Sequence, residues 1–214
     1  MRKLIQPIVV LKTGEHFDTI RAAAGASVEI AFRNTLQPNE VVNLEEWLNG
    51  IFTKVVRRGS INDFKKIIEW TKEENVSFSI IENDTAMAMS FAPMWSDELP
   101  KVISKLQVNN TDFERNPRPN SFSSEFDDPR MFLLSDLSTG KAASQVAHAL
   151  WMLMLDGYDC SELRRSGYRN IEVYDTDASE MPLKEMGSNK SIIKVVDAGL
   201  TEIKPNTVTV MVEY

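Results

Sequence analysis

A series of alternating strands and helices begins twice along the chain, and this feature most limits the folds open to it. The first series opens with an apolar, β-branched strand over 4–12 and a helix rich in alanine over 17–36. The second opens with a strand over 131–136 and a helix of small residues over 141–156. Alternation of this kind is typical of α/β units around a mixed sheet. The sequence therefore predicts an α/β fold with two tandem lobes, each a small mixed sheet flanked by helices.

A stretch without periodicity separates the two series. Residues 108–128 are rich in Asn, Ser, Pro and acidic side chains, a composition typical of a linker or a long loop. We therefore expect one lobe over 1–107, a linker over 108–128 and a second lobe over 129–214. The alternative is a single larger α/β domain in which the recurrence of elements is accidental.

Three helices of the first lobe can be placed from the sequence. The alanine-rich helix over 17–36 should end near Pro38, because proline interrupts a helix. A short helix is expected over 44–51. A last helix is expected over 96–106, with Ser96 as its N-cap.

Composition favours a cytoplasmic protein. The 43% hydrophobic and 26% charged fractions are those of an ordinary globular chain. No apolar run approaches the length of a membrane helix, and the first residues lack the pattern of a signal peptide. The single cysteine, Cys160, cannot form an internal disulfide, which fits a reducing compartment.

The formal net charge of −7 counts against extensive nucleic-acid contact, because phosphate neutralisation supplies most of the affinity of such binders. Any contact with nucleic acid would have to use a local basic patch. The same groups could equally be ordinary solvated surface charge. The densest candidates are Lys54, Arg57, Arg58, Lys65 and Lys66, and then Arg164, Arg165 and Arg169.

Two short blocks in the second half carry chemistry-bearing residues. One is a glycine-lysine entry into the small-residue helix, over 140–149, and the other is an apolar strand that ends in Asp197-Ala198-Gly199, over 195–210. In this order they resemble the two signature blocks of the archaeal and eukaryotic-type (type 2) peptidyl-tRNA hydrolase family. The resemblance implies a compact α/β fold and cleavage of the ester that joins a peptide to the terminal ribose of tRNA.

The resemblance also implies a set of site residues. Catalytic roles would fall to Lys141, Asp197, Thr201 and Thr209, and substrate contacts to Gln145 and His148 on the same helix as Lys141. Ester hydrolysis needs an oriented water, a group that takes its proton, and donors for the developing oxyanion. Asp197 suits the first two tasks, a lysine near a helix N-terminus suits the third, and the two threonines could hold the water or the ribose hydroxyl.

Each of these residues also has an ordinary structural interpretation. A lone lysine is usually solvated, and an aspartate before Ala-Gly is usually a turn residue. His148 is more readily explained as a packing residue than as a base. The chain also departs from the family, with Ser138-Thr139 in place of a second basic residue and Leu200 in place of a commonly basic one. These departures lower the expected affinity for tRNA more than they affect the expected ester hydrolysis.

The first half resembles the same family in a degenerate form. Residues 78–83 correspond to the strand that ends in the site carboxylate, where this chain has Asn83. Met87 falls where the first threonine is expected, and Ile20 falls near the position of the lysine. An amide and two apolar groups cannot replace a carboxylate, a hydroxyl and an ammonium, so we expect no catalysis in this lobe.

Other chemistries lack their residues. A phosphate-binding P-loop would need Ser or Thr after Lys141, where this chain has Ala142. Only His16 and His148 are present, without a cysteine cluster, so a zinc site is not expected and no cofactor is implied.

Two functions of different classes remain. One is hydrolysis of peptidyl-tRNA or a related ester by the second lobe. The other is a non-catalytic protein of the same fold that recognises a tRNA end or a protein partner. The resemblance implies a dimer, which the tandem chain could form as an internal pseudo-dimer or as a homodimer. No membrane partner is expected.

Overall fold

The computed structural model describes residues 2–109, 111–115, 128–197 and 203–214. Its first lobe carries one sheet with helices on both faces. The elements of this lobe are β1 (Leu4–Leu11), α1 (His16–Glu29), α2 (Pro38–Leu48), β2 (Lys54–Gly59), α3 (Ile61–Glu73), β3 (Phe78–Glu82), β4 (Met87–Phe91), β5 (Met94–Trp95) and α4 (Lys101–Ser104).

The second lobe repeats this plan with shorter connecting helices. Its elements are β6 (Arg130–Leu134), α5 (Thr139–Leu155), α6 (Ser161–Arg165), β7 (Glu172–Thr176), α7 (Met181–Gly187), β8 (Ile192–Asp197) and β9 (Thr207–Glu213). The predicted class, a mixed α/β fold with two tandem lobes, is therefore confirmed.

The two sheets have the same strand order. The first runs β2-β1-β4-β3 and the second β7-β6-β9-β8. In each sheet the two strands that flank the long helix pair in parallel, and the closing hairpin adds two antiparallel pairings. This agreement is what an internal duplication predicts. The duplication itself, and the lobe boundaries 1–107 and 129–214, stay predictions.

The alanine-rich helix is shorter than expected. It ends at Glu29 and continues only as a 3₁₀ turn over Ile30–Phe32. Pro38, which we expected to mark its end, instead begins α2. Proline suits the first position of a helix because its fixed φ is already helical and its missing N–H would have no partner there. The Glu40 carboxylate accepts from the Gln37 N–H at 2.8 Å and completes this start.

The helix expected over 96–106 is mostly absent. Met94–Trp95 instead pair with β1 as a short strand, and the Ser96 N–H donates to the Lys3 carbonyl at 2.8 Å. Only Lys101–Ser104 are helical, after Pro100. Proline favours an extended conformation in the residue before it, so the helix cannot begin earlier.

The lobes pack through their long helices. The first residues of α1 and α5, His16 and Thr139, lie 2.9 Å apart between Nδ1 and Oγ1, and Ser27 contacts Trp151 near the other ends. The two helices therefore lie side by side in the same direction. Small residues line this contact on both sides, and one apolar core extends from the first sheet through both helices to the second. The buried small residues are Ala22, Ala23, Ala24, Ala26, Ala142, Ala143, Ala147 and Ala149.

Side-chain hydrogen bonds, some of them buried, also join the lobes. The Trp151 indole N–H donates to Ser27 Oγ at 2.9 Å, and Ser27 is in turn bonded to Gln6, so the buried polar atoms of this cluster have partners. At the end of α1, the Glu29 carboxylate accepts two hydrogen bonds from Arg164, each 3.0 Å long. Such two-point pairs fix orientation as well as contact.

The start of the linker crosses the N-terminal ends of both long helices. The Thr111 carbonyl accepts from the Gly140 N–H at 3.2 Å, and the Glu114 carbonyl accepts from the His16 N–H at 2.9 Å. The Phe113 N–H donates to Thr139 Oγ1 at 3.0 Å. This segment, residues 111–115, supplies partners for N–H groups that a helix start would otherwise leave open. No helix in the described part of the chain is long and apolar enough to cross a membrane.

The close approach of the lobes at Gly25 gives the first prediction. A Cβ atom added there would lie 2.5 Å from the Cδ2 and Cγ atoms of the Tyr168 ring, which is fully buried. Gly25→Ala should lower the free energy of unfolding by about 1–3 kcal/mol, because the core must open to accept a methyl group. Gly187→Ala is the control, since no atom lies within 4 Å of its added Cβ. Equal unfolding free energies for the two variants in urea titrations would contradict the packing described.

Candidate functional site

The candidate site is built on one face of α5 and on the hairpin behind it. Lys141 and Gln145 lie one helical turn apart on α5, so their side chains share a face. Asp197 is the last residue of β8, and Thr209 lies in β9. The sheet therefore presents a carboxylate and a hydroxyl to the beginning of the helix.

The side chains of these four residues form one connected chain of contacts. Lys141 Nζ forms an ion pair with Asp197 Oδ2, and Gln145 Nε2 donates to the same oxygen at 2.6 Å. Thr209 Oγ1 donates to Gln145 Oε1 at 2.9 Å. The side chains of Lys141 and Asp197 are 11% and 6% exposed. Their proposed catalytic roles stay predictions, but the convergence that such roles require is present.

A β-bulge brings Thr209 into this cluster. Val195 pairs with Val210, and the next residue, Val196, pairs with Val208, so Thr209 is the extra residue of β9. A bulge re-aims the side chain it contains. The Thr209 hydroxyl lies 3.2 Å from the Val195 carbonyl and is fully buried.

The turn after Asp197 is only partly described. Thr201, the second expected threonine, lies outside the described residues, and its role stays a prediction. The turn is closed by the Asn206 N–H, which donates to the Asp197 carbonyl at 2.8 Å. Asn206 has a φ of 65°, a left-handed conformation that asparagine adopts more readily than most residues.

His148 lies farther along α5, against the first lobe. Its ring centroid is 5.1 Å from that of Phe52. Burial, with a smaller contribution from Lys54, lowers the pKa of His148 to about 3, and Asp197 opposes this shift. A neutral imidazole packed on an aromatic ring agrees with the packing interpretation. Its role as a substrate contact stays a prediction.

A cavity of about 540 Å³ adjoins the Lys141 side of the cluster. One wall is the start of α5, a second is strand β2 of the first lobe, and a third is the beginning of the linker. The cavity is therefore shared by both lobes. Its lining residues are Lys54, Val55, Val56, Val108, Asn109, Thr111, Asp112, Ser138, Gly140, Lys141 and Ser144.

Lys54 is buried and has an unusual environment. Its Nζ donates to the Phe52 carbonyl at 3.1 Å and lies 4.7 Å from the centroid of the Trp47 ring. Burial lowers the pKa of Lys54 well below its ordinary value. No ion pair of Lys54 is found among the described residues. From the sequence, Lys54 is a candidate for a basic patch or an ordinary surface charge, because strand periodicity does not reveal this burial.

Most of the other arginines proposed as a basic patch already have partners. Arg57 donates to the Leu106 carbonyl at 2.8 Å, Arg164 is paired with Glu29, and Arg169 Nε lies 3.7 Å from Asp84 Oδ1. The exposed pair Lys65 and Lys66 remains on the surface of α3. No group of three or more metal-ligating side chains occurs in the described ranges.

The hairpins of the two lobes can be matched by strand register. This match puts Asn83 in the place of Asp197, as expected. Met87, however, corresponds to Thr209 and not to Thr201, because β4 pairs with β1 in the same register in which β9 pairs with β6. The bulge that turns Thr209 inward is absent from the continuous pairing of β3 with β4.

The helix starts can be matched by their caps. Glu15 and Ser138 are the N-caps, and their side chains accept from the N–H groups of Asp18 and Lys141. Asp18 therefore occupies the position of Lys141, and the expected equivalent, Ile20, lies two residues too late. The first lobe thus has an aspartate where the second has a lysine, which reverses the charge at that position.

One comparison with known protein families gives a match, and it lies in the second half of the chain. Residues 130–212 match the family model described as Peptidyl-tRNA hydrolase PTH2. The match spans β6 through β9, so the second lobe has the fold of this family, and it does not extend into the first lobe. No curated protein and no solved structure matches the chain.

The buried histidines give a prediction about pH. Burial and the nearby Arg115 lower the pKa of His16 to about 4, and that of His148 is about 3. Unfolded histidines, with an ordinary pKa near 6.5, take up a proton in acid that the folded protein excludes. Stability is therefore complete above about pH 6.5 and falls with acidification, by up to about 2 kcal/mol per histidine between pH 7 and 5.

His148→Phe should remove the part of this acid-induced loss of stability that comes from His148, while keeping the contact with Phe52. Urea unfolding at pH 7 and pH 5 checks the difference. A variant that loses as much stability in acid as the wild type would show that His148 is not held neutral in the fold.

Proposed function

We propose that the second lobe, as a member of the PTH2 family in fold and sequence, hydrolyses the ester of peptidyl-tRNA or a related ester. The observation that carries this proposal is the convergence of Lys141 and Gln145 on one oxygen of Asp197. Lys141 and Gln145 come from α5 and Asp197 from β8. A turn aspartate or a solvated lysine would not require such an arrangement.

Asp197 is the group that would orient or deprotonate the attacking water. A general base must lie within hydrogen-bond reach of the proton it takes. The carboxylate lies at the end of β8 and contacts Lys141, which lines the cavity, and its surroundings are largely closed to solvent. In such surroundings electrostatic interactions are less screened than in water, so the position of each charge matters more.

Lys141 has two tasks in this proposal. In the free protein its ammonium balances the buried carboxylate. When the ester is bound, the same ammonium faces the cavity from the first turn of α5, where the positive end of the helix dipole adds to it. A cation placed there stabilises the oxyanion that develops on the ester carbonyl.

Gln145 and Thr209 act as positioning residues. The Gln145 amide donates to Asp197 and accepts from Thr209, which fixes its orientation at both ends. A buried amide fixed in this way holds the carboxylate in one position. Pre-organised supports of this kind are what a catalytic group needs for correct geometry.

A non-catalytic binding role is the second candidate. It is favoured by the direct ion pair of Lys141 with Asp197, because in the free protein the two charges neutralise each other. It is favoured as well by the arginines that are already paired, which leave few cations for the tRNA backbone. In that case the lobe would recognise a tRNA end or a protein partner without cleaving the ester.

Asp197→Asn is the variant that tests the hydrolase. It keeps the shape of the side chain and removes the charge and basicity, so single-turnover cleavage of a peptidyl-tRNA should fall by about 10²–10⁴ fold. Asn83→Ala, at the matching position of the first lobe, should change the rate little. Thermal unfolding of both variants separates loss of chemistry from loss of fold.

Two outcomes would contradict this proposal. One is full activity of a folded Asp197→Asn variant, which would remove Asp197 from the mechanism and leave the hydrolase activity standing. The other is wild-type protein that binds peptidyl-tRNA without cleaving it above background, which would leave the binding role.

A further inference from the structure

Strand β2 forms one edge of the first sheet, and its outer side has open backbone groups. It pairs only with β1 among the sheet strands. The carbonyls of Thr53 and Gly59 accept hydrogen bonds from the N–H groups of Gln6 and Lys12. The odd-numbered residues of this segment therefore point their N–H and C=O groups toward β1. The alternate residues, Lys54, Val56 and Arg58, therefore point theirs outward.

The linker begins to pair with this edge and then leaves it. The Arg58 N–H donates to the Gln107 carbonyl at 2.9 Å, in an isolated antiparallel bridge. No further bridge follows among the described residues, although Val56 and Lys54 present the next outward groups. The cavity lies in this gap, with Lys54–Val56 on one side and, from the linker, Val108, Asn109, Thr111 and Asp112 on the other.

The cavity therefore borders the part of the β2 edge that has no strand beside it. Lys54, Val55 and Val56 line one side, and the start of α5, with Lys141 and Ser144, lines the opposite side. An extended chain placed along β2 could use the outward groups of Lys54 and Val56 for hydrogen bonds. One end of that chain would lie beside the Lys141 ammonium, where the ester is placed.

We propose that the edge of β2 binds the peptide part of the substrate as an added strand, so that the first lobe supplies the peptide-binding wall of the second lobe's site. This inference rests on the proposed function for the position of the ester. Addition of a strand to a sheet edge is a general mode of peptide recognition, in which main-chain hydrogen bonds give affinity with little dependence on sequence.

The chemistry of the gap favours peptide over nucleic acid. Phosphate recognition needs cations that are free to meet it. In the cavity, Lys141 is paired with Asp197 in the free protein and is assigned to the ester in the bound state, so it is not available to a phosphate. The Lys54 ammonium group lies over an aromatic ring with the Phe52 carbonyl as acceptor. What the β2 edge offers is valine surface and backbone groups, and both suit an extended peptide.

Amide hydrogen exchange followed by NMR tests the proposal on the full chain. The probes are adenosine carrying a tetrapeptide through an amide in place of the ester, adenosine carrying a single amino acid in the same way, and the free N-acetylated tetrapeptide amide. The two tetrapeptide probes should slow exchange at the Lys54 and Val56 N–H groups by about tenfold or more at saturation. The single-residue probe should not.

The neighbouring amides of Val55 and Arg57 are internal controls, because they bond to β1 with or without a ligand. Methylation of single backbone nitrogens of the tetrapeptide gives a second measurement, which changes the probe and leaves the protein unaltered. In an added strand only every other peptide N–H faces β2, so methylation at alternate positions should abolish protection and methylation at the positions between should not.

The outcomes separate this inference from the proposed function. Cleavage of peptidyl-tRNA with unchanged exchange at Lys54 and Val56 under the tetrapeptide probes would overturn the peptide wall and leave the hydrolase standing. Protection by the tetrapeptide probes in a protein without hydrolase activity would support peptide binding at the edge of β2 and reject the hydrolase. Slow exchange at Lys54 and Val56 in the free protein would show that the linker already closes the gap, and would also overturn the inference.

Discussion

The packing of α1 against α5 is the contact on which the rest of the structure depends. Alanines on both helices, with Gly25 beneath the Tyr168 ring, let the backbones approach closely enough for one apolar core to serve both sheets. Close-packed interiors of this kind tolerate little change in volume. The polar contacts of Trp151 with Ser27, and of Arg164 with Glu29, then fix how the helices are aligned.

This contact also explains how a lobe without the proposed catalytic residues can matter for the site. One side of α5 meets the first lobe, while Lys141 and Gln145 reach toward the hairpin of the second. Because β2 lies beside the start of α5, the first lobe forms a wall of the cavity although it has Asn83 where the second lobe has Asp197. A lobe can contribute surface to the cavity without these residues, since the core and the candidate site use different side chains.

Much of this architecture could be predicted from the sequence, because it depends on local patterns. The alternation of strands and helices and the match of Asn83 with Asp197 needed only periodicity and resemblance. Other features were missed. Pro38 begins a helix whose start is closed by the local contact of Gln37 with Glu40. The burial of Lys54 against Trp47 and the bulge that turns Thr209 inward depend on tertiary contacts, which single-strand alternation cannot show.

The central claim is that the two lobes form one cooperative unit through the two long helices. Native-state hydrogen exchange in increasing guanidinium chloride tests it most directly, with the buried amides of α1 and α5 followed separately. A unit with one shared core should open both helices with the same free energy and the same dependence on denaturant. Opening of α1 at a clearly lower free energy, while α5 stays protected, would show that the second lobe and its site stand without the first.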